Sequence, residues 1–188
     1  MKITFRTATL LAALECSAKK DIRYYLVGVS VQITKPDVGM VYGTDGHVLF
    51  AGQLFYSGEC EPFKISIPST AIKGLKGELV DLEFDGEHYL LGGARFVPVD
   101  ATFPDVDRVI PDIDASVPQT PGYYNPDLLV RAQSALARYT GGKGISPLIQ
   151  RGEDSAVMHS DTNHCLVVVM PTRQPENVAF VGFNRDFM

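Results

Sequence analysis

Apolar positions along the chain repeat one phrase three times: a short strand, a helix, then two or three strands. Lys2 to Arg6 reads as a strand. Thr7 or Thr9 can cap a helix in which Leu10, Leu11, Leu14 and Ala18 recur at helical spacing. Tyr25, Val27, Val29, Val31 and Ile33 then alternate with Leu26, Gly28, Ser30 and Gln32, the period of a strand with one strongly apolar face. After the turn Lys35-Pro36-Asp37, two further strands at Met40 to Thr44 and His47 to Leu54 flank Asp45-Gly46, where glycine permits the positive φ of a tight hairpin.

The second phrase follows a loop at residues 57–62. Lys64 to Pro68 is its first strand, and Ser69 to Gly77 is a short helix opened by a capping serine and closed by glycine. Val80, Leu82 and Phe84 alternate with Asp81, Glu83 and Asp85, and after Asp85-Gly86 the chain returns as a strand over His88 to Val99. The third phrase starts at Tyr123. Asn125-Pro126-Asp127 opens a helix with Leu128, Leu129, Ala132 and Leu136 on its core side, and Gly141-Gly142 ends it. Strands at about Ser146 to Gln150, Ala156 to Ser160 and Cys165 to Met170 complete it. The expected class is α+β, with antiparallel sheets and the helices of three strand-helix-strand repeats on one face.

Between the second and third phrases, the aspartates and prolines of residues 104–121 mark a connector. The expected division is a two-repeat unit over 1–111, an acidic linker over 112–121, a single-repeat unit over 122–173 and an extension over 174–188. With 188 residues, 45% of them hydrophobic, and a mean hydropathy of +0.04, the chain has the composition of a folded protein. Cys16, Cys60 and Cys165 lie far apart and odd in number, which argues against a disulfide framework or zinc knuckle and for a reducing cytoplasm. No apolar run reaches the roughly 18 residues of a membrane span and no signal sequence opens the chain, so a cytoplasmic location without membrane contact is expected.

The formal net charge is -5, so contact with a polyanion requires locally concentrated bases. The helices supply them. Lys19 and Lys20 end the first, Lys73 and Lys76 lie on the second, and Arg131, Arg138 and Lys143 lie on or just after the third. Arg131 and Arg138 differ by about 20° around the helix, whereas Leu129 and Leu136 point about 200° away. This pattern suits helices turned towards phosphates without sequence readout.

Two runs, Asp21-Ile22-Arg23-Tyr24-Tyr25-Leu26-Val27-Gly28 and Gly43-Thr44-Asp45-Gly46-His47-Val48-Leu49, resemble the RYYLNG and ATDGHRL patterns in the second domain of the bacterial sliding clamp, the beta subunit of DNA polymerase III. Phe103 to Pro111 is similar to that family's FPDYRRVLP, and Val167 to Arg173 to its near-terminal VVMPMR. The resemblance spans residues 1 to about 173, as a complete second domain and the latter half of a third.

It implies the DNA-clamp fold, in which helices line a channel for duplex DNA and polymerases or repair proteins dock short peptides between the second and third domains. The implied peptide-binding pocket comprises Leu26, Thr44, Gly46, His47, Val48, Leu49, Pro104, Arg108, Val109, Val168, Met170, Pro171 and Arg173. Lys19 and Lys20, in the turn before Arg23, fall where the family contacts DNA, and with Arg23, Lys73, Lys76, Arg131, Arg138 and Lys143 they form the expected DNA-binding set.

Val48 stands where the family has arginine, and Thr172 where it has methionine, which makes the pocket less polar and less adaptable. The family's first domain and the first half of its third have no counterpart in these residues, an abridgement that points to a phage or prophage origin. A family ring holds twelve repeats, so three repeats per chain imply self-association of four chains. Residues 174–188, with Val178, Ala179, Phe180, Val181, Phe183 and Phe187, read first as a strand or plug packed on its own domain, and alternatively as a cover for the pocket or a neighbouring chain. The expected function is a non-enzymatic processivity factor that encircles duplex DNA and tethers a polymerase, without cofactor or metal. The alternative is an adaptor or decoy that binds clamp-directed peptides or a host clamp without encircling DNA. Thr44-Asp45-Gly46-His47 reads as a turn rather than a catalytic pair, and His159, Asp161 and His164 as a polar hairpin rather than a metal site.

Overall fold

Alternating apolar residues place eight strands of the first two repeats in one antiparallel path, in the order Phe63–Pro68, Gly28–Lys35, Val38–Thr44, Val48–Glu59, Lys2–Arg6, Leu79–Phe84, Tyr89–Leu91 and Ala94–Phe96. The computed structural model describes residues 1–100, 102–111, 122–142, 148–149, 155–160, 162 and 164–173. The first repeat comprises β1 (Lys2–Arg6), α1 (Thr7–Cys16), β2 (Gly28–Lys35), β3 (Val38–Thr44) and β4 (Val48–Glu59). The second comprises β5 (Phe63–Pro68), α2 (Ser69–Ile72), β6 (Leu79–Phe84), β7 (Tyr89–Leu91) and β8 (Ala94–Phe96). The two exchange their first strands: β1 pairs with β6 of the second repeat, and β5 with β2 of the first.

The third repeat, α3 (Pro126–Thr140), β9 (Leu148–Ile149), β10 (Ala156–His159) and β11 (Cys165–Val169), joins through β4. β11 runs antiparallel along Val48–Gly52, and β1 takes the same edge of β4 at Tyr56–Glu59. On the helix side, one core runs from Ile3, Phe5 and Leu10 through Phe50 to Leu136, Val167 and Val169. On the other side, Tyr42, Leu49, Ala51, Val157 and Val168 form a smaller cluster closed by Phe103, Val106, Val109 and Ile110. That cluster explains the unbroken run Val48 to Ala51: β4 is buried on both faces.

Several boundaries differ from expectation for local reasons. The residue preceding α1 is Arg6, which makes no side-chain cap, so neither Thr7 nor Thr9 serves as one. Tyr24–Leu26 closes a 3₁₀ turn before β2 begins at Gly28. Pairing with β1 carries β4 to Glu59, through the first part of the expected loop. α2 ends at Ile72 rather than running to Gly77. The expected strand over 88–99 is a hairpin, because Gly92 and Gly93 adopt φ 57° and 81°. α3 matches its signals closely, since Asn125 Oδ1 accepts from the Asp127 amide and Gly141 ends the helix in the left-handed region at φ 72°. Its buried side is Ala132, Ala135, Leu136 and Tyr139, with Leu128 and Leu129 half-buried. The expected linker 112–121, Lys143, Asp161 and the extension 174–188 lie outside the described residues.

Candidate functional site

A cleft of about 220 Å³ opens where the turn between β3 and β4, the segment after β8 and the end of β11 meet. Leu26, Val48, Leu49, Val106 and Val168 are its buried apolar members, and Met170, 39% exposed, forms part of the rim. Thr44, Gly46, His47, Pro104 and Val109 complete the expected residues that line it, and Arg23, Tyr25 and Val106 add to them. Tyr25 and Val106 lie inside the runs 21–28 and 103–111 that carry the motif resemblance, and that was the sequence signal for them. Arg108, Pro171 and Arg173 are not among the lining residues. Arg108 points outward, its side chain 85% exposed and paired with Asp105 at 3.1 Å.

The turn that supplies four cleft residues is built on Asp45. Its Oδ1 accepts from the amides of His47 at 2.8 Å and Val48 at 3.0 Å. The Gly46 amide donates to Thr44 Oγ1 at 3.0 Å. Gly46 takes φ 91°, and an added Cβ would meet the Arg23 guanidinium at 3.2 Å. From β11, the Met170 amide donates to His47 O at 2.8 Å. Burial alone pushes the Asp45 carboxyl up, but the Arg131 guanidinium and the two amides outweigh it and hold the group below the ordinary carboxylate range.

Arg131 does not stand free. Its Nη1 donates to Asp45 Oδ2 at 2.5 Å, its Nε to Glu15 O at 2.9 Å and its Nη2 to Ser17 O at 3.3 Å. α1 has no basic residue in its last turn, so α3 supplies the cation that its terminal carbonyls attract. Arg138 Nε pairs with Glu15 Oε1 at 2.6 Å, and Arg23 Nη2 with Asp21 Oδ2 at 2.8 Å, which holds the Asp21 carboxyl at about 2. The helical wheel placed the two arginines opposite the apolar side, but that side of α3 lies against the end of α1. Lys19, Lys20, Lys73 and Lys76 are exposed. Lys19, Lys73 and Arg138 line a groove of about 410 Å³ that also touches Leu11, Leu14 and Leu75.

His164 Nδ1 lies 2.8 Å from Gln53 Oε1 and His159 Nδ1 2.9 Å from Ser160 O. Among the described residues no group of three or more His, Cys, Asp or Glu is arranged to hold a metal ion, and no helix is long and apolar enough to cross a membrane.

Comparison with solved structures bears directly on this arrangement. The beta subunit of DNA polymerase III from Pseudomonas aeruginosa superposes with a TM-score of 0.71 over 93% of this chain and 66% of its own, at 17% identity. The chain has the sliding-clamp fold. The beta subunit from Streptococcus pyogenes gives a TM-score of 0.71 at 12% identity, covering 91% of this chain and 65% of that one. The Helicobacter pylori beta clamp bound to a DNA ligase peptide gives 0.69 at 12% identity, covering 92% and 66%. The chain thus spans about two thirds of the length of these clamps. No family model and no curated protein sequence matches it. The clamp fold accounts for the antiparallel sheets backed by helices.

Proposed function

We propose that this clamp-fold chain is a non-enzymatic, clamp-like scaffold that self-assembles around duplex DNA and tethers a polymerase or another DNA-processing protein by a short peptide. The observation that carries the reading is the cleft, which repeat one, the segment after β8 and repeat three build jointly from mostly apolar side chains. Such a cavity suits the hydrophobic anchors of a peptide, with Thr44 and His47 to orient it. The Helicobacter pylori clamp of the same fold is bound to a DNA ligase peptide, which supports the comparison. Lys19, Lys20, Lys73 and Lys76, which lie just past the ends of α1 and α2 rather than on them, are exposed and supply cations for phosphates without sequence readout.

The deciding experiment measures oligomeric mass with and without DNA, then retention on circular against linear duplex. A four-chain assembly that leaves linear DNA and stays on circles is the expected result. A monomer at high concentration overturns the ring. A labelled copy of the DNA ligase peptide should bind the wild-type chain and lose affinity in Met170→Lys; no binding to the wild type overturns the cleft reading.

One observation favours the adaptor or decoy as a second reading. Arg23, Arg131 and Arg138 are all engaged by acids of the same chain, which leaves fewer free cations for DNA than the sequence promised. Peptide binding without salt-sensitive DNA association would select it.

A further inference from the structure

Two turns in the chain share one construction. Asp45 Oδ1 accepts from the amides of His47 and Val48, and Asp85 Oδ1 accepts from those of Glu87 at 2.9 Å and His88 at 2.7 Å. Each is followed by glycine at positive φ, 91° at Gly46 and 105° at Gly86. Both pairs of amides are satisfied by the aspartate alone, so this turn forms without an arginine. Among the described residues, Asp45 also pairs with an arginine, whereas no such ion pair forms at Asp85. The other oxygen of Asp45 receives Arg131, which lies 86 positions away in the chain, and the side chains of the pair are only 24% and 16% exposed.

Arg131 is itself fixed by two carbonyls at the end of α1. The guanidinium therefore ties α3 and the end of α1 to the Asp45 carboxylate. The residues carried by that turn, Thr44, Gly46, His47 and Val48, are one wall of the cleft. A bidentate or forked cation held from several sides limits rotation of the carboxylate it meets, and hence of the amides the carboxylate holds.

We propose that Arg131 is a positioning residue for the cleft, acting through Asp45 to fix the Thr44–Val48 wall against which a peptide seats. This deepens the clamp reading and rests on the cleft being a peptide site. It removes Arg131 from the DNA-facing set and gives it to partner recognition. The pairing also spans repeats one and three, so the wall is set only when the third repeat is docked.

Two measurements on the full chain test it. Amide hydrogen exchange without peptide should be at least about tenfold faster at His47 and Val48 in Arg131→Ala, with Glu87 and His88 unchanged as the reference turn in the same molecule. Arg131→Lys should recover part of the protection. Titration with the labelled DNA ligase peptide should show about tenfold weaker binding by Arg131→Ala, with little further loss when Asp45→Asn is added, because the two act as one unit. Equal exchange at both turns, or wild-type affinity in Arg131→Ala, overturns the proposal. Failure of the wild-type chain to bind the peptide overturns the cleft reading instead, and the exchange result still decides whether Arg131 sets the turn.

Discussion

The Met170 amide donates to His47 O at 2.8 Å, joining the end of β11 to the turn between β3 and β4. Around this bond the third repeat shares the core of the first, through Val167, Val169 and Leu136. Leu136→Ala should therefore cost about 2–5 kcal/mol of the whole fold's stability. Denaturant unfolding followed by circular dichroism should show one transition moved to lower midpoint. Two separated transitions would mean that the third repeat melts independently.

At Gly43 the sheet passes close against the backbone of α1 at Ala13. A Cβ at Gly43 would lie 1.9 Å from Ala13 O. That oxygen belongs to backbone, so the helix must shift as a body. Gly43→Ala should cost about 3 kcal/mol or more, at the upper end for overpacking, with a matching fall in denaturation midpoint.

Asp21, Asp45, Asp81 and Asp85 all have carboxyls held below the ordinary value by hydrogen bonds in the folded chain. A group whose folded value is depressed contributes its stability above the unfolded value of about 3.9 and loses it as pH falls towards the folded one. Thermal unfolding should be flat from pH 7 to 5 and fall steeply below about pH 4. Asp45→Asn should flatten part of that acid limb, because the asparagine cannot gain a proton there.

Burial pushes the Cys16 thiol up to about 12, with the nearby Arg131 charge only partly opposing it. Cys165 is likewise buried, whereas Cys60 is half-buried near Tyr56. Iodoacetamide at pH 8 should label Cys60 alone in the native chain, and all three after denaturation, as read by mass spectrometry.

The DNA reading makes its own demand on the helix layer. Replacing Lys19 and Lys20 by glutamate should weaken association with duplex DNA uniformly across sequences. The slope of log affinity against log salt should fall by roughly 0.9 for each phosphate contact removed. Unchanged salt dependence would place the DNA contact elsewhere.

Much of this was legible from residue pattern, and the rest was not for identifiable reasons. Asn125 and Gly141 announce both ends of α3, because capping depends on the residue itself. The Asp45-Gly46 turn is readable for the same reason. By contrast, the extent of β4 depends on β1 and β11, partners far away in the chain, and no local property of residues 55–59 encodes it. The cleft residues were reached through motif resemblance, with Tyr25 and Val106 added by geometry. Arg131 shows where a helical wheel fails: it gives the direction of a side chain and says nothing of which element lies there.

The exchange of first strands carries a consequence for synthesis. β1 is made before either of its partners, which are Tyr56–Glu59 of β4 and Leu79 to Glu83 of β6. One edge of β1 therefore waits for β4, some fifty residues on, and the other stays open until β6 has followed some eighty residues after it. Only the second repeat's arrival seals it, which makes the pair of repeats the smallest unit that nascent-chain folding can complete and makes a strand offered by another nascent chain its natural competitor.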